Sequence, residues 1–116
     1  HLYITKTDAW KALPLRAKAL YPLLMLQWAG DRYNNNGEIF LSLRQAAERL
    51  GCSKDTARQA FWDLQMKGFI KVQIPGYLGV TGVGKATKFE ITEYPMPGAR
   101  TGSKLFLSWR EGKDCT

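Results

Sequence analysis

Side chains able to attack a substrate or hold a metal are scarce in this chain. His1 is the only histidine, and Cys52 and Cys115 are the only cysteines. Cys52 has no histidine to serve as its base, so nucleophilic chemistry lacks a partner. Two cysteines are too few for a zinc cluster or a disulfide framework. No carboxylate pair has a convincing arrangement for acid–base work. Gly79, Gly82 and Gly84 make no phosphate loop, because Gly84-Lys85 is followed by Ala86 rather than by Ser or Thr. The expectation is therefore of no enzyme, with no catalytic residue, no metal and no cofactor. What the sequence does carry is cationic and amide donors suited to phosphates and base edges. The formal charge is +7 and the isoelectric point is near 9.6. Between Leu41 and Lys88 there are eight basic residues against three acidic ones, so this segment holds +5 of that charge. Such a balance suits a polyanion, and nucleic acid is the commonest one.

Those charges sit on a pattern of short helices. Ser42 followed by Gln45 is a capping box, in which each residue satisfies a backbone donor of the first turn. Leu43, Ala46, Ala47 and Leu50 then recur at amphipathic-helix spacing. Gly51 can take the left-handed conformation that ends the helix. Ser53 is a second N-cap, and Ala57, Ala60, Phe61 and Leu64 repeat the apolar spacing 14 residues later. Two such helices joined by a three-residue turn must cross steeply to share one core, which is the geometry of a helix-turn-helix. Four alanines stand where the two backbones must approach.

The flanking elements follow from local signals. A long first helix is expected from Leu13 or Pro14 to about Trp28, with Leu13, Ala17, Leu20, Tyr21, Leu24 and Trp28 on one stripe. Pro22 predicts a bend in it or a split. His1 to Ala12 gives little signal beyond a turn at Asp8 and a Trp10 that packs on the core. Gly30 to Gly37 reads as a loop, and Glu38 to Leu41 as a short strand. Phe69 to Ile74 and Thr87 to Thr92 read as strands. Between them lies a glycine-rich tip, Pro75 to Ala86, so the three segments make a β-hairpin. Lys104 to Trp109 is a last short strand or helix, with Leu105, Phe106, Leu107 and Trp109 docking on the core. The expected fold is α+β, one domain over residues 1–116, with a three-helix core and hairpin over 13–92 and a C-terminal extension over 93–116.

The helix after Cys52 should present its polar side outward, at a width the major groove of B-DNA, about 12 Å, can receive. On that side we expect Arg58 to read a guanine edge or clamp a phosphate, and Gln59 to contact a base. Ser53 and Lys54 lie at the helix N-terminus, where backbone donors favour phosphate. Arg44 is expected on the phosphate backbone, and Lys85 and Lys88 flank the hairpin tip beside the site. Asp55 either accepts from a cytosine amino group or only favours the helix dipole. For Arg44, Arg58 and Gln59 the alternative is a solvated surface side chain, for Ser53 a pure cap, and for Lys85 and Lys88 a hairpin that makes no contact. Trp62 stands on a face that should be wet.

The run Ser53-Lys54-Asp55-Thr56-Ala57-Arg58-Gln59-Ala60-Phe61-Trp62-Asp63-Leu64-Gln65-Met66-Lys67-Gly68-Phe69-Ile70 resembles the recognition helix and first wing strand of winged-helix regulators, most nearly the gluconate-repressor type. Asn35-Asn36-Gly37 to Leu41 and Ser42 to Ala47 resemble the strand and second helix of such domains. The resemblance covers roughly 13–92 and implies a winged helix-turn-helix in which Lys54, Thr56 and Arg58 contact DNA. Asp55 and Trp62 depart from the pattern, and no effector domain follows the hairpin, so no small-molecule effector is implied.

The expected function is sequence-specific binding of double-stranded DNA by a bacterial or mobile-element transcription regulator. Two alternatives stay open: a replication or recombination accessory protein, and a winged-helix protein-interaction module. A homodimer on an inverted repeat is compatible with one short helix reading few bases, and the first helix and 104–109 are its candidate interfaces. No apolar run approaches the roughly 20 residues of a membrane span, no signal peptide is visible, and both thiols suit a reducing compartment. The expected location is cytoplasmic, at the nucleoid. The start at His1 rather than Met suggests a trimmed or tagged chain.

Overall fold

The computed structural model describes residues 2–30, 32–74, 87–112 and 114. Its elements, in chain order, are α1 (Asp8–Ala12), α2 (Leu15–Met25), α3 (Leu43–Leu50), α4 (Lys54–Met66), β1 (Ile70–Ile74) and β2 (Lys88–Ile91), with 3-10 turns at Leu2–Lys6 and Leu105–Ser108. This is an α+β fold whose two strands pair as an antiparallel hairpin after the helices. The arrangement is compatible with a winged helix.

The caps of α3 and α4 are those that their residues dictate. The amide of Gln45 donates to the Ser42 hydroxyl at 3.1 Å, and the Ser42 amide donates to Gln45 Oε1 at 3.2 Å, closing the capping box. Gly51 ends α3 at a φ of 70°, a conformation that costs glycine nothing. Ser53 then accepts from the Thr56 amide at 3.1 Å and starts α4. Ala46, Ala47, Ala57 and Ala60 are all buried, so the two helices meet through small side chains. Phe61 and Leu64 continue the inner face of α4, and Phe61 stacks on Phe89 of β2 at 5.3 Å.

α2 lies against α4 and buries Ala17, Leu20, Tyr21 and Leu24. It is shorter than the expected helix. Leu13 and Pro14 are extended, Pro14 being its N-cap, and the helix ends at Met25. Beyond that, Asn35 takes over: its side chain donates to the Gln27 carbonyl and accepts from the Ala29 amide, both at 2.8 Å. Pro22 does not split α2, which runs on through it, with the Leu26 amide donating to the Pro22 carbonyl.

Two further differences have clear causes. The N-terminal segment forms α1, which sequence signals missed; the Thr7 hydroxyl caps it by accepting from the Trp10 amide at 3.2 Å. Glu38 to Leu41 makes no strand, only a single bridge between Ile39 and Phe89. The buried side chain of Asn36 accepts from the Ile91 amide at 2.7 Å and donates to the Ile91 carbonyl at 3.0 Å. It thereby uses the groups that a longer third strand would have paired with.

The core is a ladder of aromatic rings. Trp10, Tyr21 and Phe69 meet edge to face, and Phe69 stacks on Phe106 at 4.8 Å. Ile4, Ala9, Phe106 and Trp109 belong to this core, so both ends of the chain close it. The 104–109 segment is a 3-10 turn that buries Phe106 and Trp109 and leaves Leu107 exposed. On the way to it, the chain passes close to the segment just after β2 at Gly102, where an added Cβ would overlap the Thr92 carbonyl oxygen. Tyr21 also donates to Glu93 at 3.1 Å, and burial pushes the Glu93 carboxyl above the ordinary carboxylate range.

Candidate nucleic-acid interface

α4 turns Ala57, Ala60, Phe61 and Leu64 inward, so positions 55, 59, 62 and 66, on the opposite side of the helix, form its outer ridge. Asp55, Gln59 and Trp62 are exposed there, Trp62 at 59%, and Met66 is half-buried. Ser53 and Lys54 are exposed at the N-terminal end, beside the turn that follows α3. On α3, Arg44 is exposed within the first turn. All of these side chains belong to the α3–turn–α4 unit, and Gln59 lies exposed at mid-helix.

Three of the expected site residues have partners within α4 and its cap. Arg58 does not stand free at the ridge; it is half-buried, and its Nη1 donates to Asp55 Oδ1 at 2.5 Å. The spacing of three residues puts the two side chains on neighbouring positions of the helix surface. Asp55 is thus the partner of Arg58. The Nε of Arg58 is enclosed without a hydrogen-bond partner, the only such buried side-chain atom among the described residues. Thr56 is half-buried and its Oγ1 accepts from the Ser53 hydroxyl at 3.0 Å, so it belongs to the cap.

Of the two cations expected to flank the hairpin tip, Lys88 falls among the described residues. Lys88 is half-buried at the start of β2, with its Nζ 5.7 Å from the centre of the Phe40 ring. Lys71 is exposed on β1. Val72 pairs with Phe89 and Ile70 with Ile91 on the inward side, while the Lys71–Glu90 pair takes the other side. Glu90 is held by Gln73 at 2.8 Å. Lys85, the glycine-rich tip with Tyr77, and Cys115 lie outside the described residues; Cys52 is a free thiol.

No protein-family model matches the chain, and no curated protein or solved structure matches it. The likeness of 53–70 to gluconate-repressor-type regulators therefore rests on the quoted residues alone.

Two basic side chains outside the sequence signal also share a surface. Arg32 and Arg100 line an open groove of about 680 Å³ with Tyr33, Asn34 and the 95–99 loop. Asn34 ties the two loops together by donating to the Pro95 carbonyl at 2.7 Å. The sixty-odd residues between these arginines hide the pair from any local pattern. Among the described residues no three of His, Cys, Asp and Glu gather to hold a metal ion, and no helix is long and apolar enough to cross a membrane.

Proposed function

We propose that this protein binds double-stranded DNA by laying α4 in the major groove, with the β1–β2 hairpin against the backbone beside it. The reading is carried by one observation: α3 and α4 pack through alanines, and the side of α4 left outward holds Lys54, Gln59 and Trp62 beside an exposed Arg44. An exposed helix face with one amide at its centre and a cation at its start suits base readout and phosphate positioning. The +7 charge supplies the sequence-independent attraction. Gln59 contacts a base, Lys54, Ser53 and Arg44 hold phosphates, and Arg58 leaves Asp55 to reach the duplex. The exchange gives up the exposed Asp55 pair, while the enclosed Nε, which has no partner of its own, gains one. The biological role in this reading is transcription regulation in a bacterium or mobile element.

Selection of bound duplexes from a random pool tests the proposal. The protein should enrich one short motif, and Gln59→Ala should relax one position of it. Enrichment of the same motif by Gln59→Ala and Arg58→Ala would remove both from base reading. Absence of duplex binding at low ionic strength would sink the proposal and favour an interaction module, for which the exposed Trp62 is the argument. A footprint in an origin rather than a promoter would place the same binding in replication.

A further inference from the structure

The outer side of α2 is unlike any other helix surface in the described residues. Opposite the buried Ala17, Leu20, Tyr21 and Leu24, the helix presents Leu15, Ala19, Pro22 and Leu26 to solvent, the last at its C-cap. Leu15 is 82% exposed and Leu26 is 75% exposed, the two most exposed large hydrophobic residues described. No polar side chain interrupts the stripe. An ordinary surface helix carries charge on this side.

Three features identify what covers it. The spacing of the stripe, four, three and four residues, is the same from either end, with a leucine at each end. A second α2 running antiparallel thus sets Leu15 on the partner's Leu26 and Ala19 on the partner's Pro22, a self-complementary match of the kind a two-fold axis requires. The borders of the stripe select that direction. One border holds Arg16 and Leu23, the other Lys18 and Met25. Antiparallel pairing lays Arg16 beside the partner's Leu23, and Lys18 beside the partner's Met25, so aliphatic stems cover apolar surface. Parallel pairing would set Arg16 beside the partner's Lys18 on both borders. Both cations are also held within their own chain, Arg16 by Asp63 at 2.8 Å and Lys18 over the Trp10 ring. Their charged ends are thus held off the stripe, while the stems remain at its borders. We infer that a second copy of this chain docks on α2, antiparallel, through Leu15, Ala19, Pro22 and Leu26.

One helix per copy covers less than the roughly 800 Å² per partner of a standard interface. The association is therefore weak and concentration-dependent in free solution. If the proposed DNA binding holds, the two-fold axis also relates the two α4 helices, as an inverted repeat demands.

Sedimentation of the chain without DNA, from micromolar to millimolar concentration, tests the inference separately from any DNA binding. The unaltered protein should shift from monomer to dimer. Leu15→Glu and Leu26→Glu should each weaken self-association by about tenfold or more and keep an unchanged circular dichroism spectrum, since both side chains already face water. An equimolar mixture of Leu15→Lys and Leu26→Glu should regain a heterodimer, because the antiparallel register brings the new lysine onto the new glutamate. A monomer at every concentration would overturn the inference, as would a dimer indifferent to these changes. A mixture that fails to pair would overturn the register.

Discussion

Helices α2 and α4 lie side by side, each burying a stripe of four residues in the same core, yet their outer sides have opposite chemistry. α4 shows water Lys54, Asp55, Gln59 and Trp62; α2 shows it Leu15, Ala19, Pro22 and Leu26. The inner sides are alike because both satisfy one demand, burial of apolar surface against the other helix and the aromatic ladder. The outer sides are free of that demand, so in the readings proposed above they are the sides that meet a partner. The contrast separates residues that make the fold from residues that use it.

The largest expected effects fall on the shared inner side. Phe61→Ala should destabilise the protein by about 3–5 kcal/mol, and Leu24→Ala by about 2–5 kcal/mol. Urea unfolding measures both. A loss under about 1 kcal/mol for either would mean that its helix is not core on that side, and the comparison would fail at its base.

On the outer side of α4 the effect should move from stability to binding. Gln59→Ala should cost about 1–3 kcal/mol in affinity for the selected duplex, while the urea midpoint stays within about 0.5 kcal/mol of the parent. Fluorescence anisotropy titration reads the first quantity. The logarithm of affinity should also fall steeply with the logarithm of salt, by about 0.9 per phosphate contact. A flat salt response would place α4 with α2, as a surface for protein.

Asp55→Asn sharpens the comparison further. It removes a carboxylate from the ridge and frees Arg58 from its ion pair. Because Arg58 is more than one-third exposed, that pair contributes little to stability. Affinity for duplex DNA should rise by about 1 kcal/mol, on the scale of a single charge contact at the surface. A weakened affinity would instead make Asp55 a reader of a base.

The smallest effect belongs to the inner side of α2, where Tyr21 meets Glu93. Burial raises the Glu93 carboxyl, so the folded state holds its proton more tightly than the unfolded chain does. The resulting stabilisation is complete at low pH and is lost as pH rises from about 4.5 through the raised value. Glu93→Gln keeps an oxygen for the Tyr21 hydroxyl and removes the titration. Stability against pH over that window should become flatter, with little change at the acid end. An unchanged slope would exclude Glu93 as its source.

Much of the α3–α4 unit was legible in the residues because its signals are local. Ser42 with Gln45, Gly51 and Ser53 act within one helical turn, and the alanine and leucine spacing reports which side is buried. The same locality made Phe69 to Ile74 and Thr87 to Thr92 readable as strands to within a residue or two. Where distant groups compete, the reading fell short. Asn36 claims the backbone of Ile91, fifty-five residues on, and so ends the third strand after one bridge. Asn35 holds the turn after α2, and Thr7 starts a helix too short to show a period.

The candidate interface divides along the same line. Spacing alone placed Gln59, Lys54 and Ser53 outward, since a helix with one apolar stripe has only one side to bury. Spacing could not decide that Arg58 folds back on Asp55, or that Lys88 leans on Phe40, because those choices depend on which rotamer and which neighbour lie nearest. Nor could it bring Arg32 to Arg100, or show that the outer stripe of α2 stays uncovered. The sequence by itself determined helix identity, caps and the buried side of α3 and α4, all set by interactions a few residues long. Tertiary structure alone decided which polar groups find each other and which apolar surface is left facing water, because contacts between distant segments exist only once the core has closed.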